Sequence, residues 1–139
     1  CHSFIRMAKL AEPLMREGGS LTTVSYYGAE KVVEHYNVMG PVKAALEASV
    51  RYLAHELGPD GIRVNAISAG PVRTRAASGI VHFDELLDEA ARRSPQRRTV
   101  DGCEVGRVAL LLASPYASAI TGEVVHVDAG FHVEGMVFH

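Results

Sequence analysis

The stretch from Ser25 to Lys43, SYYGAEKVVEHYNVMGPVK, holds the side chains of this chain best suited to proton chemistry: Tyr26, Tyr36 and Lys43. Tyr36 and Lys43 stand seven positions apart, about two helical turns, so on one helix they would share a face. A free phenol ionises near pH 10. One that donates a proton at neutral pH is helped by a nearby cation that favours its phenolate form, and the lysine is expected to lower the Tyr36 pKa in this way. By spacing alone, a buried tyrosine beside an exposed lysine fits the same residues.

The elements around this stretch must place the pair. Pro41 fits only in the first turn of a helix, because proline removes a hydrogen bond and clashes with a preceding turn. The spacing therefore predicts a helix starting near Val38 to Pro41, with Tyr36 on the approach and Lys43 just inside. Val42, Leu46, Val50, Leu53 and Leu57 form one apolar stripe, and Gly58-Pro59 ends it. The other faces carry small residues, Ala44, Ala45, Ala48 and Ser49. A subunit interface or a large single-chain core would each produce such a helix.

Upstream, Phe4, Ile5, Met7, Ala8, Ala11, Leu14 and Met15 recur at helical spacing, predicting a first helix to about Arg16, stopped by Glu17-Gly18-Gly19. The chain opens mid-pattern with neither an initiator Met nor a signal peptide, and reads as a piece that starts inside a helix. Ser20–Tyr26 is a β-rich run broken by Gly28. Gly61–Ala69 is apolar on both faces, as a central parallel strand is. Strand, helix, strand in this order predicts a crossover unit of a doubly wound sheet, with ligands beyond the carboxyl ends of the strands, near Tyr26 and the loop 70–74. Residues 75–98 read as a mobile lid with one or two short helices. Asp101 with Glu104 predicts a capping box opening a helix Cys103–Ala113, and Glu123–Val127 a last strand before Asp128-Ala129-Gly130.

Composition bounds the function. With 139 residues, 47% hydrophobic and 22% charged, the chain is sized for one ordinary domain. A formal net charge of -2 gives no basic excess for nucleic acid or an anionic membrane, and no apolar run is long enough to span one. Cys1 and Cys103 are too few for a disulfide framework, read as free thiols, and fit a reducing cytoplasm. The seven histidines show no ligand spacing, so His35, His55 and His126 are expected at the surface or behind the site, with no metal. The acidic cluster Asp84, Glu85, Asp88 and Glu89 reads as a solvated helix face.

The run YNVMGPVKAALEASVRYLAHELGPDGIRVNAISAGPVRTRAASGI, followed by GEVVHVDAGF, resembles the C-terminal half of bacterial NADH-dependent enoyl-acyl-carrier-protein reductases, within the short-chain dehydrogenase/reductase superfamily. The match covers nearly the whole chain. The seven-residue spacing from Tyr36 to Lys43 resembles the enoyl reductases, whereas most of the superfamily separates tyrosine and lysine by four. The resemblance implies the C-terminal portion, residues 1–139, of a single Rossmann-like α/β domain with a doubly wound parallel sheet. It implies that Tyr36 donates to the thioester carbonyl of a trans-2-enoyl substrate borne on acyl carrier protein, with Tyr26 a second active-site tyrosine. Lys43 would hold the nicotinamide ribose of NADH, and Val72, Arg73, Thr74, Arg75 and Ala76 the nicotinamide. Met39, Ala76, Ile80 and Phe83 would line the acyl pocket. Without the family, Met39, Ile80 and Phe83 read equally as core, and Thr74 as a turn former.

Two departures stand out. The family's glycine-rich dinucleotide loop belongs to its N-terminal half and has no counterpart here, and Ala129 stands where relatives often carry glycine. The choice between NADH and NADPH falls to that other half. Carrier-protein docking is expected at Arg73, Arg75, Arg92, Arg93, Arg97 and Arg98, since a carrier protein of this kind is itself acidic. A homo-oligomer, a tetramer, is expected through residues 41–57. The alternatives are a 3-ketoacyl or other carbonyl reductase on the same fold, and a non-catalytic assembly module.

Overall fold

The computed structural model describes residues 1–74 and 83–135. Three parallel strands, β1 (Gly19–Tyr26), β2 (Ile62–Ala69) and β3 (Val124–Val127), form one sheet in that order. Four helices accompany them: α1 (His2–Ala11), α2 (Met39–Leu57), α3 (Phe83–Arg93) and α4 (Gly102–Ala113). Each strand-to-strand connection carries a helix, as parallel pairing requires, and the expected doubly wound arrangement is present.

β2 shows why the sheet is covered on both faces. Its even-numbered Ile62, Val64 and Ala66 pack with Ala8 of α1 and Val50, Ala54 and Leu57 of α2. The odd-numbered Ile67 packs on the other side with Leu112 of α4 and Ala117. Side chains alternate along a strand, so a continuous apolar run serves two helical layers at once. Buried Asn65 occupies the second face without breaking the rule that buried polar groups are bonded. Its Nδ2 donates to the Ile120 carbonyl at 2.9 Å, and its Oδ1 accepts from the Glu123 amide at 3.1 Å. Those two bonds fix the start of β3 against β2.

The strands and α2 lie within a residue or so of their expected ends, and Pro41 sits in the first turn of α2. The capping box is formed: Asp101 accepts from the Glu104 amide at 2.8 Å, and the Asp101 amide donates to Glu104 at 3.0 Å. α1 is shorter than its periodicity suggests. It ends at Ala11 and passes into a 3₁₀ turn, Glu12–Leu14, because Pro13 has no amide hydrogen with which to continue the α-helical ladder. On α2 the stripe is displaced: Leu46, Val50 and Leu57 are buried, Leu53 packs at the edge of the core, and Val42 is 36% exposed. Glu47 takes a buried place instead. Ala129 adopts φ 58°, the left-handed conformation that glycine accepts more cheaply.

Candidate active site

β1 and β2 run in register to their ends, Tyr26 lying opposite Ala69. Both strands therefore release the chain at one carboxyl edge, where open parallel sheets bind ligands. Tyr26 closes β1, and the segment 70–74 leaves β2 beside it.

Tyr36 reaches this edge from a loop with an unusual backbone. Its neighbours His35 and Asn37 have φ 62° and 49°, the left-handed region that asparagine and histidine enter more readily than most residues. The Asn37 amide side chain donates to the His35 carbonyl at 3.3 Å, and the Met39 amide donates to the Tyr36 carbonyl at 3.1 Å, joining the loop to α2. The Tyr36 ring then lies against Tyr26, centroids 5.0 Å apart at 64°, the edge-to-face geometry aromatic quadrupoles favour. Gly28 makes room for it. A Cβ there would stand 2.5 Å and 2.7 Å from the Tyr36 ring carbons Cδ1 and Cε1.

Lys43 projects from the second turn of α2, where its Nζ donates to the Val24 carbonyl of β1 at 2.8 Å. Burial pushes the ammonium below its ordinary pKa, and the Glu47 carboxylate one turn on partly offsets this. The expected lowering of the Tyr36 pKa is not found. Burial raises the Tyr36 phenol above 10, and it pushes Tyr26 to about 12, with the neighbouring Tyr36 adding to the rise. Desolvation disfavours a phenolate and is the leading cause at both rings. The two tyrosines are thus neutral hydrogen-bond donors at physiological pH.

These groups line one cavity of about 600 Å³, together with Val72, Thr74, Met39, Phe83 and Leu86. The lining thus joins two tyrosines, a lysine, Thr74, Glu34 and His35 to thioether, aromatic and aliphatic surface, the make-up of a site for a ligand with a polar end and an apolar remainder. Seven of the expected residues therefore converge: Tyr26, Tyr36, Lys43, Met39, Val72, Thr74 and Phe83. Arg73 does not line the cavity; it is exposed and pairs with Asp84 at 2.7 Å. Arg75, Ala76 and Ile80 lie outside the described residues, as does the first part of the lid. Its remainder contains α3, whose Asp84, Glu85, Asp88 and Glu89 are all exposed.

Of the arginines expected at a docking surface, Arg92 bonds Glu89 and Arg98 bonds Glu104, each at 2.7 Å. Arg93 lies over the Phe131 ring, 5.2 Å from its centroid. His126 stacks on His132 at 3.9 Å and bonds Glu30 at 2.9 Å, while His35 and His55 are exposed. Among the described residues, no group of three or more His, Cys, Asp or Glu is placed to hold a metal ion.

Sequence reasoning missed one pair. Ser25, 2% exposed, donates to the Glu47 carboxylate, 7% exposed. The signal was available: Glu47 falls beside Leu46 and one turn from Val50, inside the apolar stripe, four residues after Lys43.

Comparison with known proteins gives a consistent result. The family model described as Enoyl-(Acyl carrier protein) reductase matches residues 1–132. The enoyl-[acyl-carrier-protein] reductase [NADH] 1 of Rhizobium meliloti (strain 1021) is 58% identical over 135 residues, 97% of this chain and 50% of that protein. The enoyl-[acyl-carrier-protein] reductase [NADPH] FabI of Staphylococcus aureus (strain MRSA252) is 53% identical over 131 residues, 94% of this chain and 51% of that one. Among solved structures, the reductase of Anaplasma phagocytophilum in complex with NAD superposes with a TM-score of 0.93 at 60% identity, covering 98% of this chain and 52% of its own. The chain spans about half the length of the curated relatives it matches.

Proposed function

Because this chain belongs to the enoyl-(acyl carrier protein) reductase family, whose model covers residues 1–132, we propose that it supplies the carboxy-terminal half of a cytoplasmic enzyme that reduces the trans-2 double bond of enoyl thioesters on acyl carrier protein with NADH. The observation that carries this reading is the convergence of Tyr26, Tyr36 and Lys43 on one cavity that also presents the apolar side chains of Met39, Val72, Phe83 and Leu86.

The donor set fits a nicotinamide nucleotide. Lys43 spends one of its three N–H donors on Val24, leaving the others for a ribose diol, and Val72 and Thr74 flank it at the cavity wall. Bound there, the cofactor supplies a hydride to the substrate's β-carbon. Tyr36 acts at the other end of the conjugated system. Its hydroxyl donates to the thioester carbonyl oxygen, where negative charge develops as the enolate forms, and a fixed donor in a desolvated site stabilises that charge strongly. The raised pKa of the phenol keeps the proton in place for this role. Tyr26, packed against Tyr36, orients the ring and offers a second hydroxyl. Met39, Phe83 and Leu86 provide apolar surface for the acyl chain; we assign Ala76 and Ile80 to acyl binding as well, and Arg73, Arg75 and Ala76 to cofactor binding through their backbone groups.

We assign a homotetramer built through α2, which turns Tyr52 outward at 74% exposure and Val42 at 36%. Analytical ultracentrifugation of the full-length enzyme at micromolar concentration should show tetramers; monomers would remove the assignment. The activity itself is tested by NADH oxidation with crotonyl and acetoacetyl thioesters side by side. Crotonyl-dependent turnover is expected. Preference for the acetoacetyl substrate would establish a carbonyl reductase instead.

A further inference from the structure

Among the described residues, two buried carboxylates have no task in the mechanism above, Asp128 and Glu47; Asp128 accepts from the Gly130 and His132 amides of its own turn, which leaves Glu47. Its carboxylate accepts the hydroxyl proton of Ser25 and is 7% exposed. Ser25 is itself buried and stands in β1 between Val24, whose carbonyl holds the Lys43 ammonium, and Tyr26. Glu47 and Lys43 lie four residues apart on α2, hence on one helix face. Two side chains of one helix thus grip two successive residues of one strand, immediately before a candidate catalytic tyrosine. Burying a carboxylate is costly where an apolar side chain would pack, and the stripe around it is otherwise Leu46 and Val50.

We propose that Glu47 is a positioning residue: through Ser25 it anchors the end of β1 to α2, and through its charge it holds the Lys43 ammonium in place for the cofactor. This rests on the cofactor-holding role of Lys43 given above. An apolar residue in its place would fill the volume but leave the Ser25 hydroxyl without its acceptor and remove the negative charge that favours the Lys43 ammonium. Among the described residues, the other titratable groups lining the Lys43 cavity are Tyr26, Tyr36, Glu34 and His35. Of these, the neutral tyrosines supply no negative charge, and Glu34 and His35 are exposed.

The test uses two substitutions in the full-length enzyme. Glu47→Gln keeps the size and an acceptor for Ser25 but deletes the charge; Ser25→Ala deletes the anchor and leaves the charge. Both should weaken NADH binding, Glu47→Gln by roughly three- to tenfold, while kcat at saturating NADH stays within about twofold. A purely structural carboxylate would behave differently, lowering the thermal midpoint and the active fraction together with unchanged NADH affinity per active site, and that result would overturn the proposal. A second readout needs neither substrate nor cofactor: the Lys43 ammonium pKa, followed by carbon NMR of its Cε, should be lower in Glu47→Gln than in wild type. An unchanged value refutes the coupling. If the wild-type enzyme fails to turn over enoyl thioesters, the proposed activity falls, and the NMR comparison still decides the role of Glu47 toward Lys43.

Discussion

Replacing Gly28 by alanine tests the role of Tyr36 without touching the tyrosine. The added Cβ would lie 2.5 Å from Cδ1 and 2.7 Å from Cε1 of the Tyr36 ring, where carbon atoms settle at about 3.5–4.0 Å. The ring must therefore retreat by about 1 Å. Gly28 does not sit in the left-handed region, so the backbone accepts alanine, and the clash falls on a side chain facing an open cavity rather than on the core. The cost in stability is bounded by the edge-to-face contact with Tyr26, about 0.5–1.5 kcal/mol. The cost in rate should be larger, since a misplacement of about 1 Å can lower turnover by roughly 100-fold. In the full-length enzyme, kcat on a crotonyl thioester should fall by about 10- to 100-fold, with NADH affinity and thermal midpoint close to wild type. The same change made in the Tyr36→Phe background should add little, because the displaced hydroxyl is already gone. Turnover within about twofold of wild type, or an equal further loss in the Tyr36→Phe background, would refute the assignment of Tyr36 as donor.

Other outcomes follow from the same geometry. Tyr36→Phe should reduce kcat by roughly 10- to 1000-fold with NADH binding intact, whereas Lys43→Ala should weaken NADH binding by about ten- to a hundredfold, read by fluorescence titration; wild-type turnover in a Tyr26→Phe/Tyr36→Phe double variant would end the tyrosine mechanism. Since burial raises both phenols, Tyr26 to about 12, the protonated donors persist as pH rises, and kcat at saturating NADH should show no tyrosine-linked alkaline limb below about pH 10. Asn65→Ala leaves the Glu123 amide without its acceptor and the Ile120 carbonyl with the Arg63 guanidinium at 3.4 Å; one orphaned group costs roughly 1–3 kcal/mol, so denaturant titration should show a loss of about 1–3 kcal/mol with the cavity residues untouched. The 139-residue chain alone, which has no glycine-rich dinucleotide loop, should show no calorimetric NADH binding at micromolar concentrations.

Much of the fold was determined locally, because its signals act over a few residues. The two-sided apolar run of β2 demanded helices on both faces, Pro41 could stand only in a helix's first turn, and Asp101 with Glu104 specified a helix start. The misplaced end of α1 is also a local matter, since Pro13 outweighs the apolar spacing that continues past it. The spacing of Tyr36 and Lys43 carried the family resemblance, yet not how the two act. That depended on contacts between residues distant in sequence: the Val24 carbonyl that takes the Lys43 ammonium, the Tyr26 ring that receives Tyr36, and the Ser25 hydroxyl that makes burial of Glu47 tolerable. Whether Met39 and Phe83 were core or cavity wall was likewise undecidable from periodicity, because both environments exclude water and select the same residue types. The Tyr36 pKa shift runs opposite to the one its spacing from Lys43 suggests, for a related reason. A neighbouring cation can be inferred from spacing, but desolvation is a property of the assembled packing, and here it sets the direction of the shift.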